Sequence, residues 1–443
     1  VREIYDREKV HGVVVSVGGQ TPNTLAPQFK KLGIRILGTS PDNIDAAEDR
    51  HKFSTLCDHL GVEQPRWSEV PSIEEAERFA REVGYPVLVR PSYVLSGAAM
   101  AVAENSESLR EVLHRASDVS PEHPLVVSKF ITGAKEIEID AVARDGIIQV
   151  YAMSEHVENA GVHSGDATLV LPPQRTYVET TRRARQIAAQ VAKALNINGP
   201  FNIQYIATDN HVMVIECNLR ASRSFPFASK ILKVNLIDLA TRILMDRPIP
   251  TVEASVFELD YVGVKAPQFS FTRLEGADPI LGVEMASTGE VGCIGSDFDD
   301  AFLKAVISVG YNLPIKSILL STGPIETKAA FLKSSRKLWE SGVKFYATPG
   351  TAQFMSDSGI PVDTIYWPLE DKSPNALELI QKREIDLVVN IPKDASGEEL
   401  ENDYKIRRAA VDHGIPLVTN IQLAERLASA LCEKDLQSLE IKS

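Results

Sequence analysis

Apolar and polar positions along the chain change their period several times. Over residues 1–46 a helix-like stretch, VREIYDREKV, runs into the apolar segment GVVVSVGG, which ends at Gly19, and a second helix-like stretch precedes GIRILG. The turn Gly38-Thr39-Ser40-Pro41 follows, and one helix is predicted from near Pro41 through IDAAEDRHKFSTLCDHLG. Residues 47–305 form the largest unit and are rich in short apolar runs. Strands are predicted at PVLVRPS (86–92), PLVVSKF (124–130), EIEIDAVA (136–143), IIQVYAM (147–153), FNIQYIA (201–207) and HVMVIECN (211–218). Only two amphipathic helices interrupt them, SIEEAERFAREVG and VETTRRARQIAAQVAKALN, so this unit reads as α+β. Residues 306–317 read as a connector. From 318 to 432 strand and helix alternate five times, with strands SILLST, KFYATPG, DTIYWP, IDLVVNIP and IPLVTN, the pattern of a doubly wound parallel α/β domain. Residues 433–443 read as a tail.

The fold class is therefore multidomain, α/β and α+β. Composition adds exclusions. Lys and Arg number 47 against 60 Asp and Glu, a net charge of −13 over 443 residues. Such a chain is not built to neutralise nucleic-acid phosphates or an anionic membrane. No run reaches the ~18 apolar residues of a membrane span. Cys57, Cys217, Cys293 and Cys432 form no CxxC pair, which predicts a soluble protein of a reducing, intracellular compartment. An α/β unit normally opens on a strand, and this one opens on a helix; the chain is read as a piece of something longer.

The densest chemistry lies on the pair FNIQYIA and VIECNLR. Residues two apart share a strand face, so Glu216 and Asn218 point the same way, and the short turn at Asp209-Asn210 brings Gln204 beside them. This offers hard oxygen donors with a single charge, followed by Arg220, a combination suited to Mg²⁺ and a transferring phosphoryl group. A solvated polar hairpin face is the bland alternative, and the apolar flanks Ile203, Val214 and Ile215 weigh against it. Gly161-Val162-His163-Ser164-Gly165-Asp166 lets backbone approach a ligand, or is an ordinary turn. Arg90, ending a strand before a small-residue loop, meets a phosphate or a surface carboxylate. Lys129, Ile131 and Glu136 bracket a turn in a way that suits the amino, ring and hydroxyl groups of a nucleotide, or a plain hairpin end. Gly18-Gly19-Gln20 and Gly38-Thr39-Ser40 follow apolar runs, where α/β sheets bind ligands.

Together, SVGGQTPN, GTSPDNIDAAEDRHKFS, VLVRPSYVLSGAAM, SEHVENAGVHSGDATL, FNIQYI, VIECNLRASRSFPF and LGVEMASTGEV resemble the ATP-grasp enzymes, and among them the large chain of carbamoyl-phosphate synthetase, over residues 1 to about 430. The resemblance implies a partial pre-ATP-grasp unit (1–46), an ATP-grasp domain (47–305) and a methylglyoxal-synthase-like regulatory domain (318–432). It implies that Arg90 contacts ATP phosphates. Lys129, Ile131, Glu136, Gly161, Val162, His163 and Ser164 then line the base and ribose pocket. Gln204, Glu216 and Asn218 hold Mg²⁺ or Mn²⁺, and Arg220 stands by the transferring group. The reaction implied is phosphorylation of carbamate by ATP. Another ATP-grasp ligase such as a biotin carboxylase, or a module that only binds an effector, are the alternatives.

In the C-terminal domain Thr348, Thr351, Trp367 and Asn390 fall at the carboxyl ends of successive strands, with Asn402 opening the next helix. The resemblance makes these the effector site. Trp367, where microbial nucleotide-binding relatives carry lysine, points to an N-acetylglutamate-like effector of the eukaryotic type, and a uridine nucleotide is the alternative. Lys393 departs from that pattern. The implied partners are the other synthetase half and a glutaminase, with mitochondrial matrix and cytoplasm both open.

Overall fold

The computed structural model describes residues 1–91, 100–119, 125–252, 255, 258–392 and 397–439. They fall into two units, one of residues 1–165, 169–260 and 283–285 and one of residues 166–168, 261–282 and 286–443.

The first unit is built on an antiparallel sheet in the order His211–Asn218, Gly199–Thr208, Lys135–Arg144, Ile147–Asn159, Leu169–Leu171. Strict alternation gives this sheet two unlike faces. Ile137, Ile139, Ala141, Ile203 and Tyr205 are fully buried in one core with Ala184, Ala188 and Val191 of the helix Val178–Ala194. Each large apolar side chain so buried contributes about 1.5–3 kcal/mol. Glu136, Glu138, Asp140, Asn202 and Gln204 take the alternate positions and form a polar face. Asp209 and Asn210 make the predicted two-residue turn, both at positive φ (48° and 67°). Gln204 pairs with Glu216, but Tyr205 pairs with Val214, so Ile215 is a bulge.

A second antiparallel sheet of this unit runs Trp67–Val70, Leu125–Lys129, Val87–Pro91, Ala101–Ala103. Val87, Val89 and Val127 pack with Phe79 of the helix Ile73–Val83 and with Leu109 and Leu113 of the helix Ser106–Val119. Leu88 and Arg90 are left on the other face. Near the N-terminus, Val13–Val14 and Ile36–Leu37 pair in parallel.

The structure corrects several expectations. The helix expected from Pro41 onwards is two, Pro41–Glu48 and Arg50–Leu60. Asp49 leaves the helical region (ψ 115°) and its carboxylate accepts the Lys52 N–H, so it caps the second helix and ends the first. Among the described residues, the 47–305 segment also contains the α-helices Ser106–Val119, Phe225–Ile231, Leu236–Leu244 and Phe298–Ser308, which were not expected. The supposed connector begins inside the last of these, and residue 317 already belongs to a strand. The cause is visible in the second unit. Phe298–Ser308 docks on the C-terminal helix Ile421–Glu433, where Asp299 pairs with Arg426 and Arg426 stacks on Phe298.

That second unit carries the expected parallel sheet, in the order Asp363–Thr364, Lys344–Ala347, Ser317–Thr322, Leu387–Ile391, Leu417–Val418. It also holds an antiparallel pair, Val262–Gln268 with Gly289–Gly295. Among the described residues no helix is long and apolar enough to cross a membrane.

Ile203→Ala tests the two-faced sheet. It opens a cavity in the apolar face one residue from Gln204, and is expected to cost about 2–5 kcal/mol in denaturant unfolding. Nucleotide affinity should be unchanged, which calorimetry on the folded variant checks.

Candidate active site

Both sheets of the first unit and the break between the helices Pro41–Glu48 and Arg50–Leu60 line one cleft of about 1150 Å³, counting its open mouth. One wall is apolar and slot-like, with Leu88, Met100, Phe130, Ile131, Val162, Ile206 and Ile215. The other carries charge. Arg90 is 8% exposed, and among the described residues its Nη2 donates one hydrogen bond, to the neutral Ser128 hydroxyl (3.1 Å). Its Nε is buried with no partner among the described residues. Burial first, and Arg50 next, push the guanidinium down to about 9, so it remains a cation at neutral pH. A buried cation with so little compensation is a site for an anion.

The proposed metal donors converge. Asn218 Nδ2 donates to Glu216 Oε1 (2.8 Å), and Gln204 Nε2 donates to Ser164 Oγ (3.0 Å). Both amides thus have their nitrogens engaged, which leaves carbonyl oxygens as their lone-pair donors. The other Glu216 oxygen accepts from Arg50 Nη2, and Arg50 Nη1 reaches the Ile215 carbonyl (3.4 Å). Burial alone would raise the Glu216 carboxyl. The charge and hydrogen bond of Arg50, the Asn218 amide and His163 outweigh it and hold the group down at about 2. One carboxylate and two amide oxygens suit a hard divalent cation such as Mg²⁺.

The remaining predicted residues also line this cleft. Lys129 is held by the Gly84 and Tyr85 carbonyls (3.0 and 2.8 Å). Glu136 lies on the polar sheet face, its carboxyl pushed well up by burial and by the neighbouring Glu138, Glu216 and Glu158. Gly161 has φ 120°, and a Cβ there would sit 3.1 Å from Phe130. His163 Nδ1 accepts the Gly165 N–H (3.0 Å). Arg220 donates from Nε and Nη2 to Gln20 Oε1 (3.3 and 3.2 Å). The segment after Pro91 that the sequence reading assigned to a small-residue loop (92–99) lies outside the described residues.

Sequence reasoning missed Arg50 and Glu48, and it placed Gln20 in a candidate ligand loop without giving it a role. A helix read as continuous hid the first two, because the break at Asp49 is what turns them toward the sheet. Its signal was the Ser-Pro and Asp-Arg pair of capping positions, Ser40 and Asp49, nine residues apart.

In the second unit, Thr348, Thr351 and Asn390 meet at the carboxyl ends of the parallel strands. They are 2%, 3% and 0% exposed. Thr351 Oγ1 accepts the Thr322 N–H (3.2 Å), and Thr348 Oγ1 lies 3.4 Å from Ser321 Oγ. Asn390 donates to Asp403 (2.7 Å) and accepts from Arg407 (2.8 Å). Trp367 is half-buried against the core of Leu319, Ile365 and Ala376. Asn402 does not face the network through its oxygen, which accepts the Leu369 N–H (2.9 Å). Lys328, which the sequence reading passed over, donates to the Gly350 carbonyl beside Thr348 (3.3 Å). Lys393 lies outside the described residues.

Comparison with known proteins agrees with this architecture. Residues 1–46 match the carbamoyl phosphate synthase preATP-grasp domain, residues 49–252 the ATP-binding domain of the carbamoyl-phosphate synthase L chain, and residues 330–419 the MGS-like domain. The multifunctional protein pyrABCN of Emericella nidulans is 51% identical over 440 residues, which are 97% of this chain and 19% of that protein. The arginine-specific large chain of carbamoyl phosphate synthase from Cutaneotrichosporon cutaneum is 48% identical over 98% of this chain and 38% of its own length. The chain thus spans about a fifth to two fifths of these relatives. A biotin carboxylase of Campylobacter jejuni, solved as a β,γ-ATP complex, shares the fold with a TM-score of 0.56 at 16% identity, over 68% of this chain and 75% of that one. The chain belongs to the carbamoyl-phosphate synthase large-chain family.

Proposed function

We propose that the first unit binds ATP and transfers its γ-phosphoryl group to carbamate, giving carbamoyl phosphate and ADP, and that the crevice of the second unit takes an effector. The observation that carries the first reading is Arg90, a buried cation whose Nε has no partner at the charged wall of a cleft with an apolar slot. The slot of Leu88, Ile131, Val162 and Ile206 suits a purine, with Lys129 and Glu136 at its polar edge and Gly161 to Ser164 closing one side. Gln204, Glu216 and Asn218 would hold Mg²⁺ or Mn²⁺, which when bound supplies charge to phosphate oxygens. Arg90 binds and orients the phosphates. Arg220 lies past the metal donors, where a charge developing between donor and acceptor is stabilised. A carbamate oxygen attacks phosphorus as the bond to the ADP oxygen breaks, so no covalent nucleophile is needed. Cys217 fits this reading: buried in the core, its thiol is pushed well above its ordinary range. The other synthetase half and a glutaminase are the proposed sources of carbamate and ammonia.

Phosphoryl transfer from carbamoyl phosphate to MgADP by the 443-residue chain tests the reading. Glu216→Gln should lower kcat by roughly 100-fold or more with the fold intact, because it removes the one charge among the donors. Near-normal turnover with unchanged Mg²⁺ dependence rules the assignment out.

The same carboxyl makes a pH prediction. Its folded value, about 2, lies below the ordinary 4.5, so its stabilising effect is complete above about 4.5 and is lost as pH falls toward 2. The difference in unfolding free energy between the wild-type chain and Glu216→Gln, without nucleotide, should therefore shrink across that window. A constant difference from pH 6 to pH 2.5 contradicts the Arg50–Glu216 pairing.

For the second unit we propose an acylated amino acid of the N-acetylglutamate kind. Hydroxyls and amides at Thr348, Thr351 and Asn390 suit carboxylate and acetyl oxygens, and Trp367 offers a flat wall. Trp367→Lys should weaken such a ligand by at least about 1 kcal/mol and favour UMP or UTP. Titration calorimetry on the whole chain beside a thermal melt checks it. A wild-type chain that binds none of them, or a variant that melts early, makes Trp367 a core residue only.

A further inference from the structure

The cleft continues past the metal donors into an end lined by Gln20, Ala47, Glu48, Cys217 and Arg220. The loop before Gln20 turns through Gly18 and Gly19, both in the left-handed region (φ 88° and 82°), and the Ala221 N–H donates to the Ser16 carbonyl (2.9 Å). Loop and arginine are thereby held together. Arg220 directs Nε and Nη2 at the single oxygen Gln20 Oε1, and its Nη1 makes only a 3.5 Å contact with the Ala221 carbonyl. The guanidinium fixes the orientation of the Gln20 amide, so that its NH₂ is a donor without a partner among the described residues. Glu48 is placed by Asn23, whose Nδ2 donates to Glu48 Oε1 (3.0 Å). Asn23 is 1% exposed, and its Oδ1 has no partner among the described residues.

We infer that this end is the subsite for the phosphoryl acceptor, with Arg220 and Gln20 taking its carboxylate oxygens and Glu48 accepting from an N–H at its other end. The inference rests on the phosphoryl-transfer reading above. Two donor side chains and one carboxylate lining the same cleft match a small planar molecule that carries both a carboxylate and an amino group, which is carbamate. Acetate has the same shape but a methyl group where the N–H would be, and leaves Glu48 with no hydrogen bond from the ligand beside the one from Asn23. A site with a buried acceptor rejects such an analogue. Asn23 acts only through Glu48 and is a positioning residue.

The test compares two acyl phosphates as donors to MgADP in the full chain, carbamoyl phosphate and acetyl phosphate. In each, the bond between phosphorus and the acyl oxygen breaks, a β-phosphate oxygen of ADP takes the phosphoryl group, and carbamate or acetate leaves. The wild-type chain should prefer carbamoyl phosphate. Glu48→Met should cut the ratio of the two kcat/KM values by about tenfold or more without changing the KM of ADP. Glu48→Gln, which keeps a carbonyl oxygen, should recover part of the ratio. Gln20→Ala, on a half-exposed loop, should raise KM for both acyl phosphates and leave the ratio and the KM of ADP alone. An unchanged ratio in folded Glu48→Met overturns the role of Glu48. If that variant does not fold, unchanged KM values in Gln20→Ala overturn the subsite. A wild-type chain that binds MgADP yet transfers nothing from carbamoyl phosphate overturns the phosphoryl-transfer reading, and this inference with it.

Discussion

The ion pair between Arg50 and Glu216 joins the break in the helix pair to the last strand of the large sheet, and the cleft takes its form from that junction. Glu216 sits on the polar face of a sheet whose other face is closed by core. A carboxylate there, unpaired, would be pushed up by burial, as its neighbour Glu136 is. Arg50 prevents this, and it reaches the sheet because Asp49 ends one helix and caps the next. A single capping residue thus decides whether the metal-donor set is charged.

That polar face has a consistent electrostatic logic. Glu136, Glu138 and Asp140 share one strand, and Glu216 lies level with Glu138 on the far side of Gln204, two strands away, so these acids raise one another. Glu136 is pushed up, and Asp140 is raised by burial even though Ser222, Asn202 and Ser224 donate to it at 2.5, 2.9 and 2.8 Å. Glu216, beside Arg50, is pulled down instead, to about 2. The arginine therefore holds one member of this acidic face as a carboxylate, the charge that the proposed metal site needs.

How legible all this was depends on the range over which each signal acts. The hairpin and its donors follow from period-two alternation and a two-residue turn, both local, and they stand where the spacing put them. The parallel domain was legible for the same reason, since five apolar runs alternate with helices. Helices such as Ser106–Val119 were readable from Leu109, Val112, Leu113 and Ala116, yet they were overlooked between stronger strand signals. Three features were not legible. The bulge at Ile215 depends on how two strands pair, the role of Arg50 depends on a contact across more than 160 positions, and Asp403 and Arg407 lie on a helix whose pattern gives no sign of their partners.

Two buried arginines show why the chemistry of a site has to be read from partners as well as residue type. Arg407 is 3% exposed, meets both oxygens of Asp278 at 2.7 and 2.5 Å and donates to Asn390 as well. Its charge is cancelled within the protein, and the geometry is the two-pronged one that guanidinium and carboxylate favour. Arg90 is 8% exposed and meets one hydroxyl. The first arginine ties a helix to a neighbouring segment and asks nothing of a ligand. The second leaves a desolvated cation in the wall of a cleft, a cost that folding tolerates only where something else offsets it. An anion that enters with its own counter-cation offsets it without adding net charge to a face already crowded with acids. The metal-bound phosphate proposed for this cleft would bring that combination, meeting both the buried cation and the oxygen donors.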